Sequence, residues 1–528
     1  TVPFPRSHPR PCVKCGEGTA AVVVRVGDAF CRACFREYFV HKFRAMLGKN
    51  RVIFPGEKVQ GTRGCGAQLS LLTPLLCQGL SRETAKRLRF VPGLVYIDEG
   101  AVCGQSRVQR EQTLSRMEAL LQETGFPYYL ASLEQALELP GSILRRGPGG
   151  DSKPSPSYKA AVEGFIQQQR QEEATGDGGT SPTELSTQDG PTGDSHACLP
   201  AAARTEELLR LFDAAETLTA KEELLQMLRS HLLLHTARTQ GYTKVMTGES
   251  CTRVAVKLLT NLALGRGAFL AVDTGFVDSR HGDVTVVRPM RDYMAKEIAF
   301  YNHFFRVSTV ITPPLHAKRR EKTSIHRLME SFLLGLQVDF PSTISTVYRY
   351  STSGRGGWGQ TMGCPCSSPL HICRTGEKLS VAPAEASSEL QRCLLCLCAL
   401  DTAGGEWHSG HAGVTVCGKG GAGLRAHAGQ GGDRERVSSR MSSSTGDMET
   451  PMGTLSLLRP SPRRAESRAA FIPLLCYSCR LTFKEMGPPA TLPPYVRTEA
   501  QHRSCRALMK QQIQEFLLED DEEEPGGS

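Results

Sequence analysis

The sequence has no run of roughly 18 apolar residues, so it predicts no membrane-spanning helix. Its first twelve residues, TVPFPRSHPRPC, lack the apolar segment of a secretory signal, and we therefore expect a cytoplasmic protein with no membrane partner. Apolar residues make up 40% of the 528 residues, which is slightly low for a compact globular protein. The 52 glycines and 31 prolines explain this, since they indicate that part of the chain is linker. Without secretion a disulfide framework is not expected, which leaves the 19 cysteines as metal ligands or free thiols.

Positive charge outweighs negative charge, with 63 Lys and Arg against 54 Asp and Glu and a net charge of +9. Six consecutive acids at 519–524 mean that the rest of the chain is more basic than this total. The stretch 32–51, RACFREYFVHKFRAMLGKNR, interleaves basic and aromatic residues, and it could bind RNA phosphates and unpaired bases. The alternative is an amphipathic helix whose aromatic residues pack on the neighbouring ribbon. The predicted tRNA-binding residues are Lys42, Arg44, Lys49 and Arg51.

Shifts in composition predict one α/β domain in two parts. Residues 51–140 and 204–350 alternate short apolar runs with amphipathic helical patterns, which indicates a parallel sheet with helices on both faces. Ligands of such sheets bind beyond the carboxyl ends of the strands. The other predicted segments are a zinc ribbon with its basic stretch at 10–50, linkers at 141–203 and 351–392, cysteine pairs at 393–400 and 471–482 around a disordered insertion, and an acidic tail at 517–528.

Individual elements follow from hydrophobic periodicity. Strands are predicted at 94–98, 244–247, 268–272 and 284–290, and helices at 114–123, 158–170, 252–264, 291–305 and 324–337. The segment 206–239 has apolar residues at helical spacing and is predicted to form two helices with a break near Thr217.

Two CxxC pairs separated by fifteen residues predict a structural zinc ribbon near the N-terminus. The segment between them, AAVVVRVGD, is typical of β structure, as a ribbon requires. The alternative is four unligated thiols in a reducing cytosol. The predicted ligands are Cys12, Cys15, Cys31 and Cys34.

A second zinc site is predicted from two CxxC pairs near the C-terminus, although 79 residues separate them. Each doubling of loop length adds only about 0.6 kcal/mol to the cost of closure, so pairing across the insertion is acceptable. Incidental thiols are the alternative. The predicted ligands are Cys393, Cys396, Cys476 and Cys479, and the nearby cysteines that could compete with them are Cys364, Cys366, Cys373 and Cys398.

These features together resemble the cytoplasmic tRNA 2-thiolation protein 2 family. The resemblance covers most of residues 11–350 and two C-terminal islands. The matching stretches are CVKC with CRACF, YFVHKFRAMLGKNRVIFPGEKV, AKRLRF, YIDEG, TAKEELLQ, GYTKVMTGESCTRVAVKLLTNLALGRGAFL, HGDVTVVRPMRD, FPSTISTVYR, CLLC and CYSC.

The resemblance implies a HUP-like α/β sheet of the PP-loop ATP-pyrophosphatase type. It also implies a heterodimer with a catalytic thiolation subunit. That complex places sulfur from the thiocarboxylated ubiquitin-related modifier on the wobble uridine, U34, of cytosolic lysine, glutamate and glutamine tRNAs, in the synthesis of 5-methoxycarbonylmethyl-2-thiouridine. The uridine oxygen is adenylated before sulfur displaces it, and we expect the partner subunit to bind the ATP.

The phosphate loop of active PP-loop enzymes is altered in this chain. Active members place SGGxxS after an apolar strand, where backbone N–H groups and serine hydroxyls hold pyrophosphate. Here QGTRGCGAQLSLLTPLL follows GEKV at 56–59, without the leading serine and the doubled glycine. The preceding strand is polar, and Pro74 is expected to interrupt the following helix. A working phosphate loop is therefore not expected, and its nearest remnants are Gly64, Cys65, Gly66 and Ser70.

A second landmark of active members, a GHxxDD-like element, is also altered. MTGESCTR at 246–253 keeps Glu249 but has Ser250 and Cys251 where hard oxygen ligands would be needed. Glu249 and Cys251 are thus weak catalytic candidates. Cys103 and Cys251 are the candidates for a catalytic cysteine pair, with small buried residues as the alternative.

Three functions remain open from the sequence. The altered loop, the basic ribbon and the resemblance favour a non-catalytic, tRNA-binding subunit of a sulfurtransferase complex. The alternatives are an adenylating sulfurtransferase in its own right and a zinc-ribbon interaction adaptor without an RNA role.

Overall fold

The computed structural model describes the ribbon, the α/β domain and a C-terminal element made of residues 392–400 and 468–514. The described residues are 10–24, 27–63, 72–80, 88–145, 158–175, 199–310, 313–315, 323–352, 392–400 and 468–514. No helix among them is both long and apolar enough to cross a bilayer.

A six-stranded sheet lies at the centre of the described residues. Its strands are β3 (Lys58–Arg63), β4 (Val91–Asp98), β5 (Tyr128–Ser132), β6 (Lys244–Met246), β7 (Val277–Asp278) and β8 (Thr285–Val287). Their order is β5-β4-β3-β6-β8-β7, and every pair is parallel except β7 with β8. The chain moves outward from β3 first through β4 and then through β6, so the order reverses between β3 and β6. In open parallel sheets a ligand crevice forms at such a reversal.

The central strand β3 is polar in sequence and nevertheless buried. Gln60 is 1% exposed, and the hydroxyl of Thr62 donates a hydrogen bond to the Met246 carbonyl at 3.1 Å. Its neighbour β4 is buried from Leu94 to Asp98, as expected for a strand covered on both faces. Gly93 has no room for a side chain, since a Cβ there would collide with the hydroxyl of Tyr242.

The helices confirm most of the predicted elements. The break predicted near Thr217 is real, because the Thr217 hydroxyl accepts a hydrogen bond from the Ala220 N–H at 3.1 Å and begins the second helix. The helices are α1 (Arg32–Asn50), α2 (Leu72–Leu80), α3 (Arg107–Gln122), α4 (Tyr158–Thr175), α5 (Ala202–Asp213), α6 (Leu218–Thr239), α7 (Cys251–Ala263), α8 (Leu270–Thr274), α9 (Ala295–Phe304), α10 (Ile325–Asp339), α11 (Thr343–Thr352), α12 (Arg468–Phe471), α13 (Tyr477–Glu485) and α14 (Pro494–Gln514).

Two predictions of local structure are wrong. The apolar run 268–272 is not a strand: a 3-10 turn at Gly267–Phe269 leads into α8. A run this short has no periodicity that separates helix from strand, and tertiary packing decides. Pro74 does not interrupt α2, because it lies in the first turn, where the missing N–H would have no partner within the helix.

Hydrophobic clusters cover both faces of the sheet, which confirms the predicted layers. Leu94 and Tyr96 of β4 belong to one cluster and Ile97 belongs to the other, as alternation along a strand requires. Helix α1 of the ribbon packs in the first cluster through Phe35, Phe39 and Phe43. The cysteine element near the C-terminus packs in the second, where its members join α5 and α6: Leu394, Phe471, Leu475, Phe483, Leu208, Leu224, Leu228 and Leu232.

Candidate metal centres and the switch point of the sheet

The four N-terminal cysteines converge on one point. The short hairpin of β1 (Val22–Val23) and β2 (Ala29–Phe30) lies between the two pairs, and α1 begins directly after Cys31. Gly18 lies against the sulfurs: its N–H donates to Cys15 Sγ at 3.4 Å, and an added Cβ would lie 3.0 Å from Cys31 Cβ. The sulfur atoms that lie within 4.8 Å of one another are those of Cys12, Cys15, Cys31 and Cys34.

These distances fit a single metal ion. Zinc–sulfur bonds of about 2.3 Å in a tetrahedron place neighbouring sulfurs about 3.8 Å apart. Cys15 Sγ lies 3.9 Å from Cys31 Sγ. In a 4Fe-4S cluster each thiolate binds a different iron, so its sulfurs lie farther apart than around one ion. The spacing of the sulfurs is therefore that expected of four ligands around one ion.

The second cysteine set closes in the same way across the insertion. Cys396 Sγ lies 3.7 Å from Cys476 Sγ, and the N–H of Leu394 donates to the Leu474 carbonyl at 2.8 Å to join the two halves. The four sulfurs within 4.8 Å of one another are those of Cys393, Cys396, Cys476 and Cys479.

Contacts around the second set distinguish Cys398 from the four converging cysteines. Cys398 accepts a hydrogen bond from Arg280 Nη1 at 2.9 Å and is not one of the four converging cysteines. The three other competing cysteines, Cys364, Cys366 and Cys373, lie outside the described residues. The His231 ring bridges this loop to α14, with Nε2 3.1 Å from the Leu395 carbonyl and Nδ1 2.8 Å from the Tyr495 hydroxyl.

At the reversal point of the sheet, Glu249 is held by cations. It follows β6 and contacts Lys257 Nζ at 3.2 Å and Arg288 Nε at 2.6 Å. Burial by itself would raise its pKa, but Lys257 and Arg288 lower the pKa of Glu249 to about 2. Both carboxylate oxygens are therefore engaged by protein cations, which leaves this group poorly suited to hold a magnesium ion.

Cys251 begins α7 directly after Ser250, whose hydroxyl accepts a hydrogen bond from the Arg253 N–H at 3.3 Å. The Cys251 side chain is 3% exposed, and burial first, then Asp292, raises the pKa of its thiol to about 12. Cys103 is 4% exposed in the turn after β4. Both thiols thus have the burial expected of packed residues, whereas a sulfur nucleophile needs an accessible thiolate.

The remnants of the phosphate loop, Gly64, Cys65, Gly66 and Ser70, lie outside the described residues, as does the acidic tail at 517–528.

Alkylation should leave Cys251 unmodified in the native protein. At pH 7.5 a thiol with a pKa of about 12 carries almost no thiolate, so iodoacetamide should label the more exposed Cys505 first. Peptide mass spectrometry after timed labelling measures both rates, and labelling in urea shows that the Cys251 peptide is detectable. Labelling of Cys251 at neutral pH as fast as that of Cys505 would contradict the buried, protonated thiol.

The basic stretch is divided by the fold into core and surface. Phe35, Phe39 and Phe43 are fully buried, so these aromatic residues attach the ribbon helix and are not available for bases. Lys42 pairs with Glu297 at 2.8 Å and is largely buried. Lys49 and Arg51 are exposed.

The aromatic residues that do reach the surface beside α1 were not among the predicted binding residues. They belong to α9, where Phe300 is 39% exposed and stacks on Phe304 with ring centroids 5.9 Å apart. Arg32 lies over the Phe304 ring, with its guanidinium carbon 5.2 Å from the centroid. Sequence contained only a weak signal, since residues 300–305, FYNHFF, are aromatic beyond the needs of one buried helix face.

A mostly parallel α/β sheet carries on each face a set of four cysteines that could hold a metal ion, and this defines the class of protein. No family model matches it. Relatives named Cytoplasmic tRNA 2-thiolation protein 2 do: that of Rattus norvegicus is 47% identical over 99% of this chain and 93% of its own length. The relative of Homo sapiens is 45% identical over 100% and 97%, and that of Danio rerio is 46% identical over 97% and 95%. The chain therefore belongs to the cytoplasmic tRNA 2-thiolation protein 2 family, as its sequence predicts.

One solved structure with a similar arrangement is the U34-tRNA thiolase NcsA from Methanococcus maripaludis with its 4Fe-4S cluster. It is 13% identical, covers 71% of this chain and 98% of its own chain, and superposes with a TM-score of 0.41. The family assignment rests on the sequence relatives.

Proposed function

We propose that this chain is the non-catalytic subunit of the complex that 2-thiolates the wobble uridine of cytosolic lysine, glutamate and glutamine tRNAs. It binds tRNA and pairs with a catalytic subunit, which binds the ATP. The sulfur comes from the thiocarboxylated ubiquitin-related modifier. Zinc at the two cysteine sets stabilises the fold. Family membership supports a role in tRNA thiolation. The engaged Glu249 and the buried Cys251 support the assignment of catalysis to the partner subunit.

The proposal rests on the state of Glu249 and Cys251, the two catalytic candidates at the carboxyl end of β6. Adenylation needs free oxygen ligands for magnesium and an anion cradle, and sulfur transfer needs a thiolate. Glu249 is instead tied to Lys257 and Arg288, and the pKa of the Cys251 thiol is raised to about 12 by burial. These contacts favour a structural role for the residues that would otherwise activate the uridine.

The same contacts weigh against an adenylating enzyme. Such an enzyme would lose ATP–pyrophosphate exchange when Ser70 or Glu249 is changed to alanine. In the proposed subunit, Glu249 neutralises two cations beside β6, so Glu249→Gln lowers thermal stability without removing an exchange activity of the chain's own.

Reconstituted thiolation tests the proposal. Unmodified tRNA, the thiocarboxylated modifier, ATP and magnesium are incubated with the purified chain alone, with the catalytic subunit alone and with both. Formation of 2-thiouridine, measured by mass spectrometry of digested tRNA, should be absent with this chain alone and at least tenfold higher with both than with the catalytic subunit alone.

The result that would overturn this proposal is robust thiolation by the chain alone, which would make it the enzyme. Equal rates with and without the chain would remove it from the reaction, in favour of an adaptor without an RNA role. As a matched pair, Cys251→Ser should leave the rate of the complex unchanged while Cys505→Ser reports any general effect of cysteine loss.

A further inference from the structure

Helices α1 and α9 are locked into one unit on the outside of the sheet. The hydroxyl of Tyr293, just before α9, donates to the Phe39 carbonyl at 2.7 Å, and Lys42 pairs with Glu297 at 2.8 Å. The rings of Phe39 and Tyr301 lie 4.4 Å apart between the helices. Side chains at the edge of this unit are therefore held on a rigid support, which reduces the entropy that a ligand must remove on binding.

Arginines and phenylalanines alternate along that edge. The Arg32 guanidinium lies over Phe304 at 5.2 Å, and the Arg36 guanidinium lies over Phe305 at 5.4 Å. Phe300 stacks on Phe304 with an angle of 21° between the ring planes and is 39% exposed. An apolar ring of this size at the surface, beside cations, offers a face on which a planar group can stack.

The charge at this edge is mainly positive, since Glu37, the exposed acid next to Arg36, is paired with Lys14 at 2.6 Å. Within the described part of the chain, Arg32 and Arg36 are exposed and have no acidic partner. Lys296, Phe300 and His303 follow the spacing of one helix face, and all three are exposed. Glu297, the acid in this helix, is buried and paired with Lys42.

We propose that this cation–aromatic face, consisting of Arg32, Arg36, Lys296, Phe300, His303 and Phe304, binds an unpaired stretch of RNA. The arginines contact backbone phosphates, and an extruded base stacks on Phe300. Single-stranded nucleic acid is bound by this combination of cations that follow the backbone and aromatic rings that accept bases. The inference rests on the proposed tRNA role. It adds the surface that contacts an unpaired loop of the tRNA and not a helical stem.

Binding of the full-length chain to a fluorescent anticodon stem–loop tests the charges. Changing both arginines, Arg32→Glu with Arg36→Glu, should weaken binding at least tenfold at about 0.1 M salt. The slope of log affinity against log salt should fall by about 1.4, since two single-strand phosphate contacts of about 0.7 each are lost. The matched control reverses two exposed cations on other helices, Lys159→Glu with Arg210→Glu, and should leave the slope unchanged.

Binding of two RNA shapes tests the stacking. Phe300→Ala should weaken the stem–loop about tenfold, the order expected for one stacked base, and should leave a duplex of the same length unaffected. Phe300→Tyr should restore stem–loop binding. Leu508→Ala removes another exposed apolar side chain, on α14, and should change neither affinity. Circular dichroism and metal content should be unaltered in every variant that is compared.

The outcomes separate this inference from the proposed function. If the wild-type chain binds tRNA and the arginine and Phe300 variants bind it equally well, the face is not the RNA site, while the tRNA role stands. If Phe300→Ala weakens the complex with the catalytic subunit and not RNA binding, the face is a protein contact and the inference is wrong. If the wild-type chain binds no RNA, with or without its partner, both the inference and the proposed tRNA role fail.

Discussion

Replacing Cys476 with serine should remove one metal ion from the chain and unfold the C-terminal element. Cys476 joins the pair Cys393 and Cys396 to the start of α13, and its sulfur lies 3.7 Å from Cys396 Sγ. Structural zinc contributes about 10–16 kcal/mol in zinc-finger peptides, more than the stability of many whole domains. Loss of one thiolate should therefore expose the apolar residues of this element that belong to the main core.

Metal analysis and limited proteolysis measure this effect. The wild-type chain should contain two zinc ions, one for each cysteine set, and the Cys476→Ser chain should contain one. Proteases should then cut within 468–514, which the wild-type fold protects. Where the variant is recovered only in part, the zinc content of its soluble fraction still decides the question.

Two neighbouring cysteines provide the controls. Cys398 accepts a hydrogen bond from Arg280 and lies outside the four converging sulfurs, so Cys398→Ser should keep both zinc ions. Cys505→Ser, on α14, should do the same. Loss of zinc from Cys398→Ser comparable with that from Cys476→Ser would show that the ligand set is different.

Replacing Arg110 with methionine should destabilise the α/β domain by about 3–5 kcal/mol, the usual cost of leaving buried charges without their partner. Arg110 is 4% exposed at its side chain and bridges two acids that are each 1% exposed: its Nε contacts Asp98 at 2.7 Å and its Nη2 contacts Glu134 at 2.8 Å. Methionine has a similar length, so the volume is kept while the positive charge is lost.

Thermal unfolding measures the change, and Arg107→Met provides the matched control. At about 2–4 °C per kcal/mol, Arg110→Met should lower the midpoint by at least about 6 °C. Arg107 is on the same helix and pairs with Glu111 at 3.0 Å, but both are about half exposed, so its loss should cost about 0–1 kcal/mol. Equal effects of the two substitutions would contradict the account.

The same variant makes a pH prediction whose sign follows from linkage. Burial raises the pKa of Asp98 even beside Arg110, whose charge acts to lower it, so loss of the arginine should raise the pKa of Asp98 further. A carboxyl with a raised folded pKa destabilises the fold at neutral pH, and that penalty shrinks as pH falls and the group is protonated. The gap in unfolding temperature between wild type and Arg110→Met should therefore be smaller at pH 5 than at pH 7.5.

The sequence does not reveal which charged residues are buried in ion pairs and which are exposed. The buried triad of Asp98, Arg110 and Glu134 joins residues up to 36 positions apart, and nothing in its spacing distinguishes Arg110 from the exposed Arg107 three residues earlier. Helical periodicity would have placed Arg110 on the inner face only if the direction of α3 relative to β4 had been known. That direction comes from packing.

The basic stretch at 32–51 shows the same limit. Its sequence indicates a cationic helix with aromatic residues, and both alternatives drawn from it remained compatible with that pattern. Packing of α1 against α9 buries Phe35, Phe39 and Phe43 in the core. It also pairs Lys42 with Glu297. It also brought Arg32 and Arg36 beside the rings of α9, more than 250 residues away in sequence, which local patterns do not encode.

What the sequence determined by itself was the chemistry that depends on short spacing. The CxxC pairs predict both sets of thiols, and the break at Thr217 is confirmed by a local cap, because these geometries involve neighbouring residues. Only the tertiary structure decided which thiols converge on one point and which, such as Cys398 and Cys251, are buried elsewhere. It also decided which cations are engaged by acids. Those outcomes depend on contacts between distant segments, and the free energy of such contacts is set by burial and partner distance rather than by the residue type alone.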